Sequence, residues 1–228
     1  MKHQIILGML LVTLGACTKK DSSIEAITHF DRAVALALEE KFNEAVNAID
    51  QAIKHSPRHK LKAYKAMLLA QAGRSAESIA LFEQILADKT TPSLLRGDIS
   101  NNYAGVLLAN GKEQQARTIW ERLTQEKNYL SPELAHANLG ILALRNNQLK
   151  EAQKQFQKSV EIAPQYTDAY FYLGITCSKL EEWLQARDAM QHTIALAPQH
   201  APAHDALKTI NEKISTLRLA DGFDLIES

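Results

Sequence analysis

In the C-terminal half of the chain, Leu139-Gly140, Ala152, Phe156 and Pro164 return 34 positions later as Leu173-Gly174, Ala186, Met190 and Pro198. A period of that length is too short for a self-sufficient domain, so each unit must bury its apolar face against its neighbours. The spacing predicts two helices per unit. A small residue in the first lets the second approach, a small residue opposite leaves the crossing unfilled, and a proline stops the second helix because its ring clashes with a continuing turn.

The frame extends towards the N-terminus with other residues in the same places. Gly111, Ala116 and Trp120 repeat the turn and second helix, with Ala104 where the glycine stood; Gly73, Ser78, Phe82 and Ile85 repeat them again, and Phe42, Ala45, Ile49, Ala52 and Pro57 open the series. All six prolines (57, 92, 132, 164, 198 and 202) fall between units, which leaves the helix interiors intact and speaks against strands. This pattern resembles the tetratricopeptide repeat. The expected fold is therefore all-α, a right-handed superhelical solenoid of about five helical hairpins at 26–58, 59–92, 97–130, 133–166 and 167–200. A capping helix follows at 202–217, then a loose tail at 218–228. Extra residues around Thr90–Arg96 and Asn128–Ser131 break the strict period and are expected to form longer loops.

The N-terminus carries a different message. Lys2, an apolar run from Ile5 to Leu14, then Gly15, Ala16 and Cys17 make an export signal over 1–16. The run is far short of the ~20 residues a membrane span needs. Leu14-Gly15-Ala16-Cys17 resembles the lipobox of bacterial lipoproteins, which implies a lipidated Cys17, a short tether over 17–25 and attachment to the membrane only through the anchor. Thr18 stands where Asp resembles the inner-membrane retention signal, so the expected location is the outer membrane, facing the periplasm. With Cys17 blocked, Cys177 has no partner for a disulfide.

Charge and motif content argue against other classes. The 26 basic side chains are balanced by 26 acidic ones with no basic stripe, which excludes a nucleic-acid footprint. The nine glycines form no phosphate-cradling loop. His200 and His204 are four apart, but Pro202 lies between them and no third ligand is near in sequence, so neither metal nor cofactor is expected. Cys177 reads as a small packing residue without a positive neighbour to activate it. No catalytic constellation and no small-molecule site emerges, and the chain reads as a non-enzyme.

In this repeat the first helix of each hairpin lines the inner groove. The positions concerned include Phe30, Val34, Met67, Asn101, Leu108, Ile141, Leu144, Phe171 and Ile175, nearly all apolar. The expected partner is an apolar or amphipathic segment of another envelope protein. Asn101-Asn102-Tyr103-Ala104-Gly105, Ala116, and Ala137-Asn138-Leu139-Gly140 with Ala152 and Phe156 resemble the central hairpins of the pilus-stability lipoproteins, or pilotins. That resemblance implies an assembly factor that escorts secretin subunits in type IV pilus biogenesis. The alternative is a tetratricopeptide lipoprotein scaffold for another envelope complex, such as cell-wall enzymes; an envelope hydrolase is a more remote one.

Overall fold

The computed structural model describes residues 20–220, with side chains from 24 to 217, and every element in it is a helix. The expected signal at 1–16, Cys17 and the tail beyond Ala220 lie outside these residues. The chain divides into two units, one up to Leu130 and one from Ser131 onward.

The first unit holds three hairpins: α1 (Lys20–Leu38) with α2 (Phe42–His55), α3 (His59–Gln71) with α4 (Ser75–Ala87), and α5 (Ser93–Ala109) with α6 (Glu113–Leu123). The second holds α7 (Pro132–Arg145) with α8 (Leu149–Ile162), α9 (Thr167–Lys179) with α10 (Trp183–Leu196), and the single helix α11 (Ala201–Ala220). Within each unit every helix packs on the next, so apolar stripes at helical spacing are covered from both sides.

One turn design joins all five hairpins. The middle residue of each three-residue connection is left-handed: Glu40, Gly73, Gly111, Asn147 and Glu181, at φ from 55° to 78°. The next residue's N–H then reaches back to the last turn of the first helix, as Lys41 to Leu36, Arg74 to Leu69, Lys112 to Leu107, Gln148 to Ala143 and Glu182 to Cys177, at 2.8–2.9 Å. This closure satisfies carbonyls that a helix end leaves orphaned. Two glycines and an asparagine suit the left-handed conformation; the two glutamates adopt it against a steric cost of about 1–2 kcal/mol.

The helix crossings follow the small-residue rule. Ala33 and Ala45, Ala66 and Ser78, Ala104 and Ala116 all have no exposed surface, as do Ala152 and Ala186 in the second unit. Ser78 is a polar residue in an alanine position, and its hydroxyl donates to the Ala66 carbonyl at 2.6 Å, which removes the cost of burying it. At Gly140 and Gly174 the neighbour is bulkier than the facing alanine. A Cβ on Gly140 would stand 2.7–2.9 Å from the Phe156 ring, and one on Gly174 would stand 2.8 Å from Met190 Cε and 3.3 Å from the Ala186 carbonyl. Large buried side chains such as Trp120, Phe82 and Phe156 fill the layers between helices, each contributing roughly 1.5–3 kcal/mol of burial.

Several boundaries differ from the sequence expectation. The first helix begins at Lys20 rather than near residue 26, and the last continues through 218–220, which the sequence assigned to a loose tail. The extra residues at 93–96 are helical: α5 has 17 residues against 13 in α9. They extend the helix because the short loop before them is tightly tied. Thr91 Oγ1 donates to Ile85 O, and Arg96 donates to the carbonyls of Leu86 and Asp88. The second insertion does form a loop, from which Tyr129 turns inward onto Gly97 and is 5% exposed.

The helix α11 closes the second unit. Ala203, Ala206, Leu207, Ile210 and Ile214 pack against Cys177, Ala186 and Met190. Its other flank is polar and exposed, with His204, Lys208, Asn211 and Glu212. A helix with one apolar and one polar flank terminates a stack instead of recruiting another hairpin.

Candidate partner-binding face

The residues assigned to the groove divide into two groups. Phe30, Met67, Asn101 and Leu108 are only 9%, 7%, 7% and 5% exposed, which removes them from a binding surface. Phe30 lies in the first core cluster with its ring 5.4 Å from that of Tyr64. The Met67 sulfur lies 3.5 Å from Asn102 Nδ2, and Asn101 Oδ1 accepts the Trp120 indole N–H at 3.0 Å. Asn101 therefore anchors a buried tryptophan, which would otherwise leave its donor unmet. Val34, Ile141, Leu144, Phe171 and Ile175 remain half-buried. Val34 stands apart on α1; the other four share the second unit.

There, α7 and α9 lie side by side, each the first helix of its hairpin. Ile141 and Leu144 rest on Phe156, Ala143 and Ala152 together with Tyr172 and Leu173. Tyr172 stacks on Phe156 with centroids 5.7 Å apart and an interplanar angle of 14°. Phe171 meets Tyr172 edge-on at 5.5 Å and leans on His200 at 4.8 Å, so its ring is positioned from two sides. Ile175, one turn along, joins the cluster around Met190 and Ile210. Four half-buried apolar side chains thus stand on two neighbouring first helices, Ile141 and Leu144 over the cluster around Phe156 and Phe171 and Ile175 over the cluster around Met190.

The polar groups near this face carry no reactive arrangement. Burial pushes the Asp168 carboxyl above its usual range, with His200 pulling the other way, and burial likewise raises the Tyr166 and Tyr172 hydroxyls. Cys177 is 1% exposed; burial pushes its thiol up, so it stays protonated and poorly nucleophilic. His200 Nδ1 accepts the Ala203 N–H at 3.1 Å and so caps the start of α11, while His204 Nε2 donates to the Pro198 carbonyl at 2.9 Å and ties the first turn of that helix to the preceding loop. Among the described residues there is no cluster of three or more groups fit to hold a metal, and no helix long and apolar enough to cross a membrane.

Stacked helical hairpins with small residues at the crossings and a half-open apolar face define a protein-interaction repeat. The tetratricopeptide-repeat family model matches residues 30–93, 65–130 and 137–201, and the chain belongs to that family. No curated protein sequence matches it. Among solved structures it is similar to PilF of Pseudomonas aeruginosa, at 15% identity and a TM-score of 0.64, covering 87% of this chain and 94% of that one. It is also similar to PilW, described as a widely conserved type IV pilus biogenesis factor, at 16% identity and a TM-score of 0.63 with the same coverage. A third is YrrB, a tetratricopeptide protein described as having an unusual peptide-binding site, at 21% identity and a TM-score of 0.52 over 80% of this chain and 92% of that one. Likeness at these identities establishes the shared fold.

Sequence reasoning missed the Gly97–Tyr129 contact. Neither residue obeys the 34-residue period, and the only signal was an extra glycine in α5 opposite an aromatic in an insertion.

Proposed function

We propose that the chain is a non-catalytic assembly factor of the bacterial envelope, anchored in the outer membrane through a lipidated Cys17, whose second unit holds an apolar or amphipathic segment of a partner. The observation that carries this reading is that Ile141 and Leu144 on α7 and Phe171 and Ile175 on α9 are apolar yet only half-buried, on the first helices of adjacent hairpins. Side chains spaced three or four apart on neighbouring helices suit the apolar stripe of a helix or alternate residues of an extended peptide. The lipobox-like Leu14-Gly15-Ala16-Cys17 supports the anchor, and the likeness in fold to PilF and PilW supports a role in type IV pilus biogenesis. The partner we assign is a secretin subunit, which the pilotin-like central hairpins imply.

The test is deletion of the gene, with secretin multimers read on gels of membrane fractions. Subunits made but left unassembled, restored by the intact chain and not by a Cys17→Ser form, support the proposal. Normal multimers with a different envelope defect would favour a scaffold for another complex, such as cell-wall enzymes.

A further inference from the structure

We infer that the first two turns of α1 lie in the bilayer interface, with Ile24 and Ile27 inserted among the lipid headgroups. This rests on the lipid-anchor reading of Cys17.

The two isoleucines are 58% and 39% exposed on the first helix; Leu38, Leu94, Leu130, Ile162, Leu184 and Leu217 are exposed elsewhere, so what sets the pair apart is its place beside the anchor and not its exposure. At 100° per residue they share one flank of α1. The opposite flank is occupied: Ala26, Phe30 and Ala33 are 3%, 9% and 0% exposed. Scattered exposed isoleucines are ordinary on a soluble surface. Here the chain's own length decides what they face.

The helix starts at Lys20, three residues after Cys17. Even fully extended, three residues span only about 10 Å. Ile24 and Ile27 lie roughly 6 Å and 10 Å further along a helix. An interfacial helix sinks about 5–10 Å into the boundary between headgroups and acyl chains, so these side chains are within reach of it whenever the anchor is in place.

The charges agree with a shallow contact made by apolar groups. Between Cys17 and Ile27, Lys19 and Lys20 balance Asp21 and Glu25. Glu25 points away from the isoleucine flank, its Oε2 held by His55 Nδ1 at 2.8 Å, while His55 stacks on His29. Asp31 returns to the isoleucine flank and is exposed, which ends the patch after two turns. Leu38, 68% exposed, lies beyond it and should stay in water.

The experiment uses the full lipidated chain in vesicles of phosphatidylethanolamine and phosphatidylglycerol. An environment-sensitive fluorophore is attached in turn at Ile24→Cys, Ile27→Cys, Asp31→Cys and Leu38→Cys; Cys177, 1% exposed, stays unlabelled in the folded protein. Blue-shifted emission at 24 and 27, lost on adding lipid spin-labelled near the headgroup, with water-like emission at 31 and 38, is the expected result. Water-like emission at 24 and 27 on a chain that floats with the vesicles would overturn the inference and leave the anchor intact. A chain with unmodified Cys17 that does not float would overturn the anchor and the inference together. Blue-shifted emission at 24 and 27 in the Cys17→Ser chain without vesicles would assign this flank to protein contact and overturn the inference as well.

Discussion

The Phe156 ring lies over Gly140 so closely that a Cβ built on the glycine would stand 2.7 Å from Cε1. The ring is itself held by Tyr172 stacked on it at 5.7 Å, so it has little room to yield. Gly140→Ala should therefore cost about 1 kcal/mol or more, the overpacking exceeding the helix-propensity gain of alanine. Gly174→Ala should cost less, because the atom it meets first is the flexible end of Met190. Urea unfolding of both variants checks the order. Adding Phe156→Leu to Gly140→Ala should cost less than the sum of the two single losses, the non-additivity expected of two residues in contact.

Gly97 makes the tightest approach, a Cβ there falling 2.3 Å from Tyr129 Cδ2. Tyr129 sits on a loop and can swing out where Phe156 cannot. Gly97→Ala should expel the ring and loosen residues 124–131, read as faster limited proteolysis at that loop, with a stability loss on the order of 1–3 kcal/mol. Equal proteolysis of variant and parent would mean the ring contributes nothing to loop order.

Glu40 and Glu181 occupy left-handed turn positions with φ of 57° and 61°. Glycine removes that steric cost but adds backbone freedom to the unfolded chain. Glu40→Gly and Glu181→Gly should each stabilise by about 0.5–1 kcal/mol. Thermal melts of the single variants and the pair check this, and the effects should add because the two turns lie in different units and share no hydrogen-bond partner.

Much of this fold was legible because small residues at crossings are chemically conspicuous. A glycine or alanine recurring at 34 positions announces a close approach, and Ser78 could be placed because its hydroxyl is short enough to serve as one. The turns were half legible: Gly73 and Gly111 signal them, whereas Glu40 and Glu181 do not, being held by the backbone bond that closes the turn rather than by their own preference. The binding face was legible as a periodicity and not as a depth. Spacing puts Met67 and Phe171 on equivalent sides of their helices, but only the packed neighbours determine that Met67 is sealed while Phe171 stays half open.

Asp88 ties the loop before α5. Its carboxylate accepts the Thr90 hydroxyl at 2.7 Å and N–H at 2.8 Å, and meets His59 Nε2 at 3.1 Å. These bonds, the Thr90 hydroxyl first and His59 next, hold its pKa well below the usual carboxylate range. A lowered folded-state value stabilises the protein at pH above the unfolded carboxylate range, and that stability is lost as pH falls through the folded value. Asp88→Asn should therefore melt below the parent at pH about 7, and the gap should close towards pH about 2. A gap that stayed constant would show that the loop depends on shape and not on the charge.

Phe171 separates the binding face from the core beneath it. Its ring is braced by Tyr172 at 5.5 Å and His200 at 4.8 Å, yet part of it remains open beside Ile175. Truncation must remove internal contacts, so Phe171→Ala should lower the melting temperature whatever the face does. If the ring also anchors a partner, the variant measured well below its melting temperature should bind the partner segment about 2 kcal/mol more weakly, roughly thirtyfold. His200→Ala supplies the control: it removes the brace and the cap of α11 while leaving the ring itself, so it should cost stability with a much smaller loss of affinity. Equal affinity losses in the two folded variants would mean that binding depends on the bracing between α9 and α11 and not on the ring itself, and that Phe171 belongs to the core rather than to the partner.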